Sequence, residues 1–260
     1  MLGALTGLGG GVILIPAMVL GLDVNIFYAM GASLISIIAN SSGTAIAYLR
    51  EGYTNLRIGM LLETGAVIGA VIGAYLILLM PTRLITIIFG LVLLLSAYLS
   101  IKRKEESENH RSSHSWAVYL KLEDNYPTPH GLKHYHVQRV PLAWVIMFIA
   151  GILSSLLGVG SGALKVLAMD QVMRLPYKVA TATSNFIIGI TAAVSAGIYF
   201  SRGYVDPVLT FPVVVGVLLG SISGAKILHR ANIKTLRLLF SLVIILLAIE
   251  MIYKGVTGSL

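Results

Sequence analysis

The chain has 260 residues, 57% of them apolar and only 12% charged, with a mean hydropathy of +0.87. These values lie far outside the soluble-domain range and assign most of the length to a bilayer, as one integral domain spanning 1–260. The formal charge of +8 would suggest nucleic acid in a soluble protein, but here the basic residues sit in loops, where they orient a membrane protein, so no nucleic-acid partner is expected. Zero Cys removes disulfides, Cys-zinc sites and thiol chemistry.

In chain order, apolar blocks fall at about 1–21, 26–49, 57–80, 83–101, 141–169, 178–200, 207–228 and 235–253. Six of the eight approach the roughly 20 residues a spanning helix needs. The first and fifth are cut by glycine clusters, Gly7-Leu8-Gly9-Gly10-Gly11 and Gly158-Val159-Gly160-Ser161-Gly162. Each Gly raises the cost of helix by about 1 kcal/mol. Irregular backbone is not tolerated against lipid, so both cuts are expected to face protein or a water-filled cavity. No basic start precedes the first cluster, so no cleavable signal is expected.

The second cluster follows the first by 151 residues, and the offset continues without a gap. It pairs Ser33 with Ser184, Tyr48 with Tyr199, Gly52-Tyr53 with Gly203-Tyr204, Gly69 with Gly220, Gly73-Ala74 with Gly224-Ala225 and Phe89 with Phe240. The expected organisation is therefore a first repeat at 1–101, a polar central loop at 102–140 and a second repeat at 141–260. The first repeat has about ten fewer residues ahead of its motif. The expected fold is an all-α polytopic membrane protein, each repeat comprising a glycine-broken re-entrant or discontinuous helix and three transmembrane helices. Duplicated membrane units broken at matching places are the pattern of secondary transporters, with the substrate where the broken segments meet.

Loop charges bear on orientation. Eight straightforward crossings would divide the loop Lys and Arg eleven against six, whereas re-entrant first and fifth blocks invert the second repeat and divide them fourteen against three. The positive-inside rule favours the inverted repeat with the central loop in the cytoplasm. Within that loop, Trp116, Val118, Leu120 and Leu122 alternate with other residues, as do Tyr135, Val137 and Val140 less cleanly, and Pro127 and Pro129 lie between, so a small β-hairpin outside the membrane is expected. His110, His114, His130, His134 and His136 also lie there, and His134-Tyr135-His136 puts two imidazoles on one face of a strand. Imidazole suits zinc, copper or nickel, while the alternative is a hydrated His-rich loop. Lys102-Arg103-Lys104 reads as a topology signal at a helix end, with anionic headgroups as a further contact.

The glycine motifs carry the sharper chemistry. A turn that interrupts a helix exposes backbone N–H groups at the positive end of the next half-helix, a setting that binds anions. The candidate substrate residues there are Gly9, Gly10, Gly11, Gly158, Gly160, Ser161 and Gly162. Lys165 falls in the first turn of the second half-helix, and a lysine at that depth costs about 2.5–3.5 kcal/mol and needs a counter-ion. The substrate is one candidate for that role; the alternatives are pairing with Asp170 or snorkelling to the interface. Ser33, Asn40, Ser184 and Asn185 are expected to add neutral donors, although such residues also bond backbone carbonyls and neighbouring helices. Gly69-x-x-x-Gly73 and Gly220-x-x-x-Gly224 are assigned to close helix packing. Glu63, the sole acid well inside an apolar block, has two readings, a proton relay or an interfacial position near Arg57.

These residues resemble the paired signature of the sulfite exporter TauE/SafE family, also called the toluene-sulfonate uptake permease family. The resemblance rests on the first cluster followed by Ile15-Pro16, the second followed by Lys165-Val166, the run Ala180-Thr181-Ala182-Thr183-Ser184-Asn185-Phe186, and Tyr199-x-x-x-Gly203-Tyr204-x-Asp206-Pro207. The chain departs from the family at Ser161 and Leu167, where a glycine and a proline are usual. The resemblance implies a secondary transporter moving sulfite, organosulfonates or related anions across the cytoplasmic membrane of a prokaryote, with no cofactor. Expected partners are a small anion, the bilayer and a coupling proton or cation. The second reading, a metal-ion transporter with a His-rich loop, has only Glu63 of the intramembrane carboxylates that cation passage wants. An enzyme is not expected, because no nucleophile and base pair, intramembrane metal-ligand motif or nucleotide loop is present.

Overall fold

A computed structural model of the chain describes residues 10–101, 115–128, 131–228 and 233–257. Its helices are α1 (Gly11–Gly21), α2 (Ile26–Arg50), α3 (Leu56–Leu76, extended by a 3-10 turn at Ile77–Leu79), α4 (Thr82–Ile101) and the short α5 (Ser115–Tyr119). Strands β1 (Asp124–Thr128) and β2 (Gly131–Tyr135) follow, then α6 (Val140–Leu157), α7 (Gly162–Leu167, continued by a π-helical turn at Ala168–Val172), α8 (Tyr177–Ser201), α9 (Pro207–Leu228) and α10 (Ile233–Thr257). The protein is mainly helical, and α2, α3, α6 and α8 are long and apolar enough to cross a membrane. The starts of α1, α2, α3 and α4 precede those of α7, α8, α9 and α10 by 151 residues each.

Short polar residues set several of these starts. Asn25 Oδ1 accepts from Phe27 N at 3.0 Å, Asn55 Oδ1 from Ile58 N at 3.0 Å, and Asp206 Oδ1 from Val208 N at 2.8 Å. Each acceptor satisfies a backbone N–H that the first helical turn leaves without an internal partner. Asn55 and Asp206 hold the same place ahead of α3 and α9, again 151 residues apart.

Helices α2 and α8 pack on each other at the centre, with α9 against α2 and α3 against α8. Helix α4 lies along α10, and α6 along α3. The last contact depends on glycine: a Cβ at Gly69 or Gly73 would run into the backbone of Phe148 or Ile152, and one at Gly151 into that of Ala66. The packing role expected of Gly69 and Gly73 is thus met. Gly220 differs, since nothing among the described residues lies within 4 Å of the place its Cβ would take.

Polarity runs opposite to that of a soluble protein. Ser33, Thr183, Ser184, Thr191 and Ser195 are buried, while Met60, Ile68, Ile72, Phe211, Leu219 and Leu246 point outward. Apolar surface on this scale is stable only against lipid.

The hairpin expected in the central segment is present, but not where alternation placed its first strand. Residues 115–119 form α5, closed by Leu122 N donating to Ala117 O at 2.9 Å across a left-handed Lys121. Ala117 and Leu122 are buried while Trp116 and Val118 are exposed, a burial pattern that one helical turn and its cap satisfy without a strand. The strands pair antiparallel from Asp124 with Tyr135 to Thr128 with Gly131. Tyr126 and Tyr135 face inward, and Asn55 Nδ2 donates to Tyr135 Oη at 2.6 Å and to Leu122 O at 2.9 Å. The hairpin is thereby fastened to the start of α3. Lys102-Arg103-Lys104, His110, His114, Pro129 and His130 lie outside the described residues.

Candidate substrate site at the glycine turns

Block five breaks where the glycine cluster falls. Gly158 ends α6 with φ +64°, Gly160 has φ +80° and Ser161 has φ +42° before α7 begins at Gly162. Glycine adopts such angles freely, whereas Ser161 holds one at a cost, offset by its Oγ donating to Ala150 O at 2.7 Å. The turn fits between α2 and α8: a Cβ at Gly160 would stand 3.2 Å from Ile188 and 3.3 Å from Ile37.

The two motifs meet. A Cβ at Gly11 would lie 2.5 Å from Ser33 Oγ, 2.8 Å from Gly158 O and 3.0 Å from Val159 Cα, so only glycine allows the start of α1 to rest on the second turn. Ser33 Oγ donates to Gly158 O at 2.8 Å and pins the contact from α2. A narrow, mostly apolar cleft opens beside this junction, lined by Val12, Val159, Ser161 and Gly162 together with Val92 and Ser96 of α4. Gly10 immediately precedes α1, and Gly9 lies outside the described residues.

Lys165, four residues beyond Ser161, is fully buried. Its Nζ lies 3.3 Å from Glu63 Oε2 and donates to Thr191 Oγ1, and Thr191 Oγ1 in turn donates to Glu63 Oε1. Helices α3, α7 and α8 therefore contribute one side chain each to a closed triangle. Glu63, whose two readings were a proton relay and an interfacial position, is buried, and it pairs with Lys165. An ion pair this deep persists only when both charges are paired and hydrogen-bonded, and Thr191 provides the additional bonds.

The hydroxyl and amide residues divide by role. Ser33 is committed to Gly158, and Ser41 Oγ donates to the carbonyl of Asn185, joining α2 to α8. By contrast, Asn40 Oδ1, Thr181 Oγ1 and Ser184 Oγ are buried with no hydrogen-bond partner among the described residues. Such groups are rare in a finished core and call for water or a ligand. Along α8, Ser184, Ile188, Thr191 and Ser195 follow at intervals of four and three, so the open hydroxyl, the contact to Gly160 and the triangle share one helix face.

Sequence reasoning missed Thr191 and Asn55. A signal for Thr191 was its place seven residues after Ser184 on the same face, and for Asn55 its position ahead of an apolar run, where a capping amide is favoured. Among the described residues, one group of three side chains has the make-up and spacing to hold a metal, Glu123, His134 and His136, and it lies on the hairpin rather than at the glycine turns.

The chain is similar to two proteins of Bacillus subtilis (strain 168). It is 28% identical to the Probable membrane transporter protein YunE over 261 residues, covering 98% of this chain and 93% of that protein. It is also 28% identical to the Probable membrane transporter protein YdhB over 225 residues, covering 85% and 82% respectively. No solved structure matches it. Residues 1–251 match the family described as Sulfite exporter TauE/SafE, so the chain belongs to that family of membrane transporters.

Proposed function

We propose that this transporter carries sulfite, organosulfonates or related small sulfur-containing anions across the cytoplasmic membrane by alternating access. The observation that carries the reading is the contact of Gly11 with the second glycine turn, together with the buried Lys165 that follows that turn and pairs with Glu63. Amides of Gly10 and Gly11 and of Gly158, Gly160, Ser161 and Gly162 would bind the anion, with Asn40 through Nδ2, Ser184 and Asn185 as neutral donors and Ser33 holding the junction. Lys165 would leave Glu63 for the anion when Glu63 takes up a proton, which ties anion occupancy to proton occupancy. The junction stays charge-balanced in both states, and that is the requirement for crossing a low-dielectric barrier.

The 151-residue offset shared by four pairs of helix starts supports two repeats. In our reading the second is inverted, the central loop is cytoplasmic, and the central pair α2 and α8 rocks about the junction. Purified protein in proteoliposomes, offered sulfite, sulfate, taurine, sulfoacetate and carboxylate analogues with and without a pH gradient, tests the proposal. Saturable uptake of a sulfur oxyanion that responds to the gradient is expected. Uptake of divalent metal alone, or of no anion in the series, would overturn it.

A further inference from the structure

The polar outer face of the hairpin holds a second constellation, separate from the glycine turns. In the β1–β2 register Asn125 stands opposite His134, and one step beyond the ladder Glu123 stands opposite His136. Side chains two apart on a strand share a face, so these four project together away from Tyr126 and Tyr135. His136 Nδ1 lies 2.9 Å from Glu123 Oε1, and His134 Nε2 lies 3.6 Å from Glu123 Oε2. One ligating atom from each of Glu123, His134 and His136 can be chosen so that all lie within 4.8 Å of one another.

We propose that Glu123, His134 and His136 bind a first-row divalent transition metal of the zinc, nickel or copper class. Tetrahedral zinc with bonds of about 2.0–2.1 Å needs its ligand atoms about 3.3 Å apart, and the two imidazole–carboxylate spacings, one to each Glu123 oxygen, fall either side of that value. Two imidazoles and one carboxylate form a donor set that suits these metals and leaves a fourth position to water. His134 carries the supporting contact of a metal-bound histidine: its Nδ1 is 3.0 Å from Asn125 Oδ1, which fixes the ring and presents Nε2 to the metal. The hairpin supplies the rigidity, because Tyr135, between the two histidines, points the other way and is anchored by Asn55.

The site has a route into the membrane helices. Asn55, which holds Tyr135 and Leu122 and caps α3, also donates its backbone N–H to Thr183 Oγ1 of α8 at 3.1 Å. A metal that stiffens the hairpin thus acts on the contact between the two helices that carry Glu63 and Thr191.

The test uses the full chain, purified without a histidine tag, treated with chelator and titrated with zinc against a chromophoric competitor. One zinc per chain is expected, with affinity reduced at least about tenfold by His134→Gln, His136→Gln or Glu123→Gln, and about 10–100-fold by Asn125→Ala, which removes only the orienting contact. The combined variant of His110→Gln, His114→Gln and His130→Gln should bind as the parent does. X-ray absorption of the zinc-loaded parent chain, which requires no variant to fold, should show two imidazoles and oxygen donors. Absence of zinc binding, equal affinity in the His134→Gln/His136→Gln double variant, or a spectrum with fewer than two imidazoles would overturn the proposal.

Discussion

Lys165 and Glu63 make a quantitative prediction, because each is almost wholly enclosed and each is the other's compensation. At 3.3 Å and an effective dielectric of about 20, their attraction is about 5 kcal/mol. Lys165→Met leaves the carboxylate of Glu63 with Thr191 alone, and Glu63→Gln leaves an ammonium with only neutral acceptors. Removing one member of a buried pair costs about 3–5 kcal/mol, while removing both in favour of groups of similar volume is close to neutral. The double variant should therefore be more stable than either single variant, with a coupling energy of about 3 kcal/mol or more. Unfolding of the purified protein and its three variants in one detergent, followed by tryptophan emission and by loss of the monodisperse elution peak, measures the cycle. Losses that simply add would show that the two charges do not compensate each other, and the triangle would be refuted.

Three further expectations rest on helix packing, the docked hairpin and the loop positions. Gly69→Leu should destabilise by at least about 1–3 kcal/mol through collision with the Phe148 backbone, while Gly220→Leu, with none of the described residues within 4 Å of its Cβ position, should leave thermal stability unchanged; equal losses would contradict the packing described. Burial pushes the Tyr135 hydroxyl up to about 12, with Asp124 adding to the shift and the Asn55 hydrogen bond opposing it. Because the folded value is raised above the ordinary 10.0, the stabilisation is present below pH 10 and fades between about 10 and 12. An alkaline absorbance titration should lose a step near pH 12 in Tyr135→Phe, and an unchanged titration would count against the docked hairpin. The absence of native Cys allows single Cys residues to be labelled from either side: Cys replacing Arg174 or Lys234 should share the compartment of the central loop, and Cys replacing Arg202 should lie opposite. Labelling of the Arg174 position from the far side would defeat the inverted arrangement.

Much of the scaffold was legible because its signals are local. Long apolar runs set α2, α3, α4, α8, α9 and α10 close to their expected limits, and the glycine cluster broke block five at Gly158. The hairpin shows where local signals weaken. Alternation from Trp116 to Leu122 imitated a strand, yet α5 took those residues, and β1 formed from a polar, proline-containing stretch whose pairing depends on β2. The triangle was the least legible part, since Glu63 and Lys165 are 102 residues apart and meet only through packing. Even so, an acid and a base so deep within apolar blocks were a clue that each needed an opposite charge, and the sequence reading considered each separately.

The central claim is that a small anion occupies the junction of the glycine turns and takes Lys165 as its charge partner. Its most direct test is anion binding at matched protein amounts in the parent, Lys165→Met and Ser161→Gly, using the sulfur oxyanion with the greatest uptake in proteoliposomes. Lys165→Met should lose binding while eluting as a folded protein, and Ser161→Gly, which relieves a left-handed serine at the turn, should retain it. Parent affinity in Lys165→Met would remove the lysine from the site and contradict the account.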